Sequence, residues 1–232
     1  MNCSELSSRL TRLLDLKQPA IGLAFLSQAP ENVASYGKEV PSACTFWARA
    51  ADSVFYAEEG QHANCPIGAM TMGFNPPQTL QMFLEKMCAE SYVAPEEAAK
   101  IPSVKKEKKG ILYGPLKALP EPLDLILMWL SGRQAMLFSE ATGSMSWTLS
   151  VPATAFGRPA CAALAVAFNE NRSTLSLGCS GMRTFTEIED GRVLAVVPWS
   201  KADALVDALE KTHASNGAML EFYRGHKAQF AN

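Results

Sequence analysis

Two stretches of the chain repeat one order of elements, and this recurrence constrains the fold more than any other feature. Each stretch has an apolar run of strand length, an Ala-Cys pair that opens a helical segment, a second strand, and a turn built on a cysteine. In the first stretch the apolar run is 20–26, the Ala-Cys pair ends in Cys44 and the turn contains Cys65. In the second stretch the apolar run is 123–130, the Ala-Cys pair ends in Cys161 and the turn contains Cys179. The recurrence suggests an ancient duplication, although Ala-Cys pairs also arise by chance.

The rest of the chain also alternates between strand and helix patterns. Helical spacing covers 4–17, 41–51, 76–93, 95–104, 131–142, 159–170 and 201–217, with Ser4, Ser42 and Ser200 as caps. Further strands are predicted at 53–59, 173–178 and 192–198, and the Pro-punctuated segment 110–122 is predicted to be a connection. The alternation predicts one layered α/β or α+β domain over residues 1–232. Its two pseudo-symmetric halves would be 17–92 and 120–212, joined by the Lys/Pro-rich connection 93–119.

The two cysteine turns are the candidate site. Cys65 and Cys179 each follow a strand and precede a helix, where unpaired N–H groups and the helix dipole stabilise a thiolate. A thiolate there is a better nucleophile or metal ligand, and Gly68 and Gly181 allow close approach of another group. The alternative is a tight turn that uses cysteine as a small buried residue.

Arg183 adds a fixed positive charge next to the second turn. Its guanidinium is predicted to point into a cleft and to hold a carboxylate, a phosphate or a thiolate. The alternative is an ordinary surface charge. The predicted cofactor-binding residues are therefore Cys65, Cys179, Gly68, Gly181 and Arg183.

A metal or iron–sulfur cluster would need ligands from both halves of the chain. The sequence contains no C-x-x-C, so a self-contained zinc site is not expected, and the candidate metal ligands are Cys44, Cys65, Cys161 and Cys179. Cys88 lies on the apolar side of a helical pattern and is predicted to be a core thiol. His62 could act as a general base or as an axial ligand. The alternative is that it is a solvated or capping residue, as most turn histidines are.

Charge and hydropathy exclude several classes of partner. The net charge of −2 gives no electrostatic footprint for nucleic acid or for an anionic membrane. The first 17 residues carry charged side chains, among them Glu5, Arg9, Arg12 and Asp15, and lack the continuous apolar stretch of a signal peptide. No apolar run of the chain approaches the length of a membrane span. We therefore expect a cytoplasmic protein, in which the six cysteines are kept reduced.

Residues 17–200 resemble an uncharacterised prokaryotic family, catalogued as domain of unknown function 169, the archaeal-conserved-region proteins. The resemblance is carried by PAIGLAFL, ACTFWARAADSVFYAEEGQHANCPIGAMTMGF, GPLKALPEPLDLILMWLSGRQAM, PACAALAVAF, LSLGCSGMRTF and RVLAVVP, in that order. It implies a single α/β-type cytoplasmic domain and no established activity. The cysteine and Gly-x-Arg positions that it implies fall on Cys44, Cys65, Cys161, Cys179, Gly181 and Arg183.

Two functions of different classes follow. The first is a cysteine-based metal- or iron–sulfur-binding redox protein or enzyme, which works with a redox partner. The second is a small-molecule or tetrapyrrole-binding module, in which the cysteine turns and Arg183 bind an anionic group. The sequence alone does not give the substrate, the cofactor or the oligomeric state.

Overall fold

A computed structural model describes residues 1–143 and 155–230 of the chain. The described residues form nine α-helices and seven strands. The helices are α1 (Cys3–Leu14), α2 (Cys44–Arg49), α3 (Pro66–Thr71), α4 (Leu80–Ala89), α5 (Pro95–Ala98), α6 (Gly132–Ala141), α7 (Ala162–Glu170), α8 (Ser180–Thr186) and α9 (Ala202–Ala228). The strands are β1 (Ile21–Leu26), β2 (Phe55–Glu58), β3 (Gly110–Pro115), β4 (Leu125–Ser131), β5 (Ala155–Phe156), β6 (Thr174–Ser176) and β7 (Arg192–Pro198).

The strands form one sheet, in the order β2-β3-β1-β4-β7-β6-β5. Every neighbouring pair is antiparallel except β5 and β6, which are parallel. β4 lies at the centre, as its continuous apolar sequence predicted, and all its residues before Ser131 are buried. The predicted mixed α/β class is confirmed.

Helices cover both faces of the sheet. Alternate strand residues point to opposite faces, so Ile21, Leu23 and Phe25 of β1 pack with α2, α3 and α7, while Ala20 and Ala24 pack with α1 and α9. The core is thus two apolar clusters separated by the sheet. The cysteine turns belong to the cluster on the α2/α7 face.

The strands on the two sides of the β1–β4 pair are arranged in the same way. β3 lies between β1 and β2, and β7 lies in the same way between β4 and β6. The pair Gly22–Ile126 is the middle of the three pairs that join β1 to β4. A two-fold axis through that pair would exchange the two halves of the sheet, which supports the duplication without testing it.

The outer strand pairs obey the same relation. Pro115 ends β3 opposite Ile21, the first residue of β1, and Pro198 ends β7 opposite Leu125, the first residue of β4. A short 3-10 turn follows each proline, over Leu116–Ala118 and over Trp199–Lys201. Equivalent elements of the two halves therefore share strand register as well as order.

Several element predictions were wrong. The predicted connection 110–122 contains β3, whose six residues are all buried between β1 and β2. α9 extends to Ala228, and α4 has no buried residue. Asn2 caps α1 through its side chain in place of Ser4, and neither Ser42 nor Ser200 caps a helix. The Ser/Thr-rich stretch between the helical patterns 131–142 and 159–170, which its composition predicts to be a connection, falls largely on 144–154, outside the described residues.

Among the described residues, no helix combines the length and the apolar character needed to cross a membrane.

Candidate functional site

One cavity of about 550 Å³ opens on the α2/α7 face of the molecule, and its walls are mostly apolar. All four cysteines proposed as ligands line it: Cys44, Cys65, Cys161 and Cys179. The two halves meet there because α2 of the first half packs against α8 of the second, with the Thr45 hydroxyl 3.4 Å from the carbonyl of Phe185. The four cysteines that the sequence singled out therefore line one cavity.

Cys44 and Cys161 form the floor of the cavity. Cys44 is the first residue of α2 and Cys161 immediately precedes α7, and both side chains are buried. Burial raises the pKa of Cys44 to about 12; the hydrogen bond from Ser42 opposes this shift, and the nearby Cys65 and Cys179 add to it. Burial likewise raises the pKa of Cys161 well above its usual value. Both groups are therefore neutral thiols at pH 7.

Cys65 lies at the N-cap of α3, and Pro66 takes the first helical position as predicted. Its sulfur packs directly over Gly68, where a Cβ would lie only 2.7 Å from Cys65 Sγ and 2.8 Å from the Cβ of Ala43. Gly68 therefore allows a close approach, but the group that approaches is the cysteine of the same turn. Cys65 is half-buried and open to the cavity.

Cys179 lies at the N-cap of α8, and its sulfur accepts a hydrogen bond from the backbone N–H of Met182 at 3.4 Å. The preceding Gly178 has φ +87°, a conformation that favours glycine. Gly181 has open space around it, since a Cβ there would meet its nearest atom, on Phe185, at 3.9 Å. The two predicted glycines are thus not equivalent.

Arg183 does not point into the cavity. Its guanidinium donates hydrogen bonds to the backbone carbonyls of Leu177 at 2.8 Å and Arg192 at 3.2 Å, and Asp190 lies 3.8 Å away. These groups tie α8 to the end of β6 and the start of β7. The prediction of a ligand-binding Arg183 was wrong because the carbonyls at these strand ends already use its donors.

Arg158 is the guanidinium that lines the cavity, and sequence reasoning missed it. It stacks over the ring of Tyr92 at 4.6 Å and makes no hydrogen bond or ion pair with any residue that the structure describes. Lys86, the other cation of the lining, is paired with Glu90 at 2.6 Å. The available signal was position, because Arg158 stands three residues before Cys161 in the second Ala-Cys motif.

The packing of His62 and Cys88 contradicts two other predictions. His62 is buried instead of solvated: its Nδ1–H donates to the Glu58 carbonyl at 2.8 Å, and its Nε2 accepts from the Tyr113 hydroxyl at 3.2 Å. Burial lowers the pKa of His62 to about 4. Cys88 lies on α4 and is only half-buried, so it is not a core thiol.

The described part of the chain contains no preformed metal centre. Over residues 1–143 and 155–230, no three or more His, Cys, Asp or Glu side chains are grouped so as to hold a metal ion. The four cysteines line the cavity without forming such a group. Since Cys44 and Cys161 are buried neutral thiols, metal ligation through them would also require loss of two protons at unfavourable positions.

Comparison with known proteins gives a family and no activity. No curated protein and no solved structure matches the chain. Residues 9–208, which include every residue of the cavity wall, match the family described as uncharacterised ArCR, domain of unknown function 169. The match spans most of the 232 residues, and the chain therefore belongs to this uncharacterised ArCR family.

Proposed function

We propose that the protein binds a mainly apolar small molecule with one anionic group in the cysteine-lined cavity. The observation that carries the proposal is an apolar cavity of about 550 Å³ with an unpaired guanidinium at its edge. This volume lies within the range of about 300–1,000 Å³ typical of organic ligand and cofactor sites. Few polar groups in an apolar wall favour a ligand that is itself largely apolar.

Arg158 is the anchor for the anionic group. Its charge has no acidic partner among the described residues, and the ring of Tyr92 orients it by a cation–π contact. The Tyr92 hydroxyl is fixed in turn, because it accepts the backbone N–H of Ser180 at 3.3 Å. A guanidinium held in this way presents two parallel donors to a carboxylate or sulfonate.

The thiols and aromatic rings supply the apolar contacts. Trp47, Phe83 and Phe185 line the cavity together with Cys65 and Cys179. Sulfur atoms and ring faces pack well against flat, polarizable molecules. A planar conjugated acid, a class that includes the tetrapyrroles, fits both the wall and the anchor.

A cysteine-ligated iron–sulfur cluster or metal is the second candidate. It is favoured by one observation, that cysteines of both halves face one cavity. It would need movement of the floor cysteines and loss of their protons, since the described residues form no metal-holding group. The first candidate needs neither change.

Absorbance and iron content separate the two candidates. Under the first candidate, protein purified without oxygen should contain no iron and should show no iron-dependent absorbance near 400 nm. Stoichiometric iron that is lost when the four cysteines are replaced would overturn the first candidate in favour of the second.

Paired fluorescent probes test the anchor. The probe 8-anilinonaphthalene-1-sulfonate is apolar and anionic, and N-phenyl-1-naphthylamine is similar in shape and uncharged. We expect Arg158→Ala to weaken binding of the sulfonate about tenfold, equivalent to about 1.4 kcal/mol, and to leave the neutral probe unaffected. Arg224→Ala, an exposed arginine on α9, is the matched control. Equal affinity of Arg158→Ala and parent protein for the sulfonate would contradict the proposal.

A further inference from the structure

Two of the cavity cysteines are joined by a single hydroxyl group. Ser42 Oγ lies 2.8 Å from Cys44 Sγ and 3.9 Å from Cys65 Sγ. The two sulfur atoms are therefore no farther apart than these two distances together. Ser42 does not cap α2, so this contact with the two thiols is what its buried hydroxyl does.

The other half of the molecule provides a comparison. Cys161 and Cys179 occupy the positions that Cys44 and Cys65 have in the first half, and Pro159 stands where Ser42 stands. Proline has no side-chain donor or acceptor, so the residue at this position cannot link the second pair as Ser42 links the first.

The two thiols of the first pair also differ in access. Cys65 is half-buried and faces the cavity, whereas Cys44 is buried behind it. A small oxidant that enters the cavity therefore reaches Cys65 first. A thiol attacks an oxidised sulfur as its thiolate, so the attack by Cys44 needs a group that takes its proton. The Ser42 hydroxyl is in place for that transfer.

We propose that Cys65 and Cys44 form a reversible disulfide when the cavity admits a peroxide, with Ser42 as the proton relay. In the first step the Cys65 thiol reduces hydrogen peroxide, which gives a sulfenic acid and one water. In the second step Cys44 Sγ attacks the Cys65 sulfur. The S–S bond forms, the S–O bond breaks, and the hydroxide leaves as water with the proton that Ser42 transfers from Cys44. Two thiols have then lost two electrons, and the peroxide has become two waters.

This site is independent of the small-molecule proposal. It rests on the Ser42 contacts and on the access to Cys65, and it needs neither Arg158 nor a bound ligand. A negative result in the probe experiment would not contradict the disulfide proposal, and a negative result for the disulfide would not contradict the small-molecule proposal.

Peptide mapping of the parent protein is the direct test. After treatment with stoichiometric hydrogen peroxide, the intact mass should fall by two hydrogen atoms, and digestion without reductant should give a Cys44–Cys65 linked peptide. Dithiothreitol should reverse the change. A Cys65–Cys161 or Cys65–Cys179 link, or no link, would overturn the proposal, and this arm needs no variant that could fail to fold.

Variants test the relay. We expect Cys44→Ser to leave Cys65 as a sulfenic acid that dimedone traps, and Ser42→Ala to slow disulfide closure at least tenfold while the first step keeps its rate. Cys88→Ser, on α4, is the matched control and should close the disulfide like the parent. If Ser42→Ala closed it at the parent rate, the relay would be rejected.

Discussion

At the scale of single residues, Gly68 and Gly181 follow the two cysteine turns but tolerate a side chain differently. A Cβ on Gly68 would overlap Cys65 Sγ and Ala43, whereas a Cβ on Gly181 would meet nothing closer than 3.9 Å. We expect Gly68→Ala to lower the free energy of unfolding by about 1–3 kcal/mol through overpacking. Gly181→Ala, within α8, should be neutral or slightly stabilising. Urea denaturation of both variants measures the difference, and equal losses would contradict it.

Arg183 stabilises the fold and does not line the ligand cavity. Its guanidinium holds the carbonyls of Leu177 and Arg192, and Arg183→Ala leaves these groups without their charged donor. We expect a loss of about 1–3 kcal/mol in the free energy of unfolding and unchanged affinity for the anionic probe. Calorimetry and the probe titration check the two parts. Weaker probe binding with unchanged stability would restore the original prediction for this arginine.

His62 makes stability depend on pH. Its pKa is about 4 in the folded protein and about 6.5 when exposed, so the unfolded chain takes up the proton first as the pH falls. The contribution of His62 is therefore fully present above about pH 6.5 and is lost progressively down to about pH 4, at about 1.4 kcal/mol per pH unit. Urea midpoints between pH 7 and pH 4 should show this slope in the parent and in the control His213→Gln. A His62→Gln variant with the same slope would show that other groups cause it.

Residue identity was easier to predict than side-chain direction. Cys65 and Cys179 follow strands and precede helices, a local pattern that the sequence carries. The direction of Arg183 depends on carbonyls of Leu177 and Arg192, which only the folded sheet brings near α8. For the same reason the position of Arg158 before the second Ala-Cys motif did not show that its side chain lines the cavity.

At the scale of elements, the last part of α9 contributes nothing to the core. Its buried residues end at Leu209, and all ten residues from 221 to 230 are exposed. We expect truncation after Leu220 to leave the melting temperature within about 2 °C of the parent value, since little apolar area is lost from the core. Thermal unfolding followed by circular dichroism checks this. A matched truncation before Leu205, which removes three buried residues, should abolish folding.

Strands whose apolar residues alternate or run continuously were predicted, but β3 was not. Its sequence contains two glycines and ends in proline, residues that are usual in turns. Both glycines are required by close packing, because a Cβ on Gly110 would meet the ring of Tyr56 and a Cβ on Gly114 would meet Val54. In the sequence, a glycine that is required because a large side chain packs against it cannot be distinguished from a glycine that is required by a turn. α4 failed in the opposite way, since its periodic apolar face covers the edge of the cavity and not the core.

At the scale of the whole molecule, the two halves share one core. Each apolar cluster contains residues of both halves on the same face of the sheet. We therefore expect a single cooperative transition, reported equally by Trp47 of the first half and Trp129 of the second, both buried. Protein labelled with 5-fluorotryptophan gives a separate fluorine signal for each, and their urea midpoints should coincide. Midpoints separated by more than about 0.5 M would mean that the halves unfold independently.

The duplication stays a prediction, but the order of β2-β3-β1 and β4-β7-β6 supports it more strongly than the cysteine spacing did. The halves proposed from the sequence, 17–92 and 120–212, omitted β3, the counterpart of β7. The proposed boundary excludes β3 for the same reason that β3 was not predicted. A first half that ends after the 3-10 turn of Leu116–Ala118 includes β3 and so matches the second half in the order of β1, β2 and β3 with β4, β6 and β7, although α6 and β5 have no counterpart in the first half.

The pair Gly22–Ile126 has a consequence for how such a chain can evolve. A Cβ on Gly22 would lie 2.7 Å from both Leu119 and Leu123, while its partner Ile126 is buried on that same face. In a symmetric dimer of identical subunits, the same residue would lie on both sides of this axis. Two glycines would leave a void there, and two isoleucines would overlap. Joined in one polypeptide, the two positions mutate independently, and a large residue can face a small one. Covalent linkage thus gives the centre of the sheet a freedom that a symmetric dimer never has.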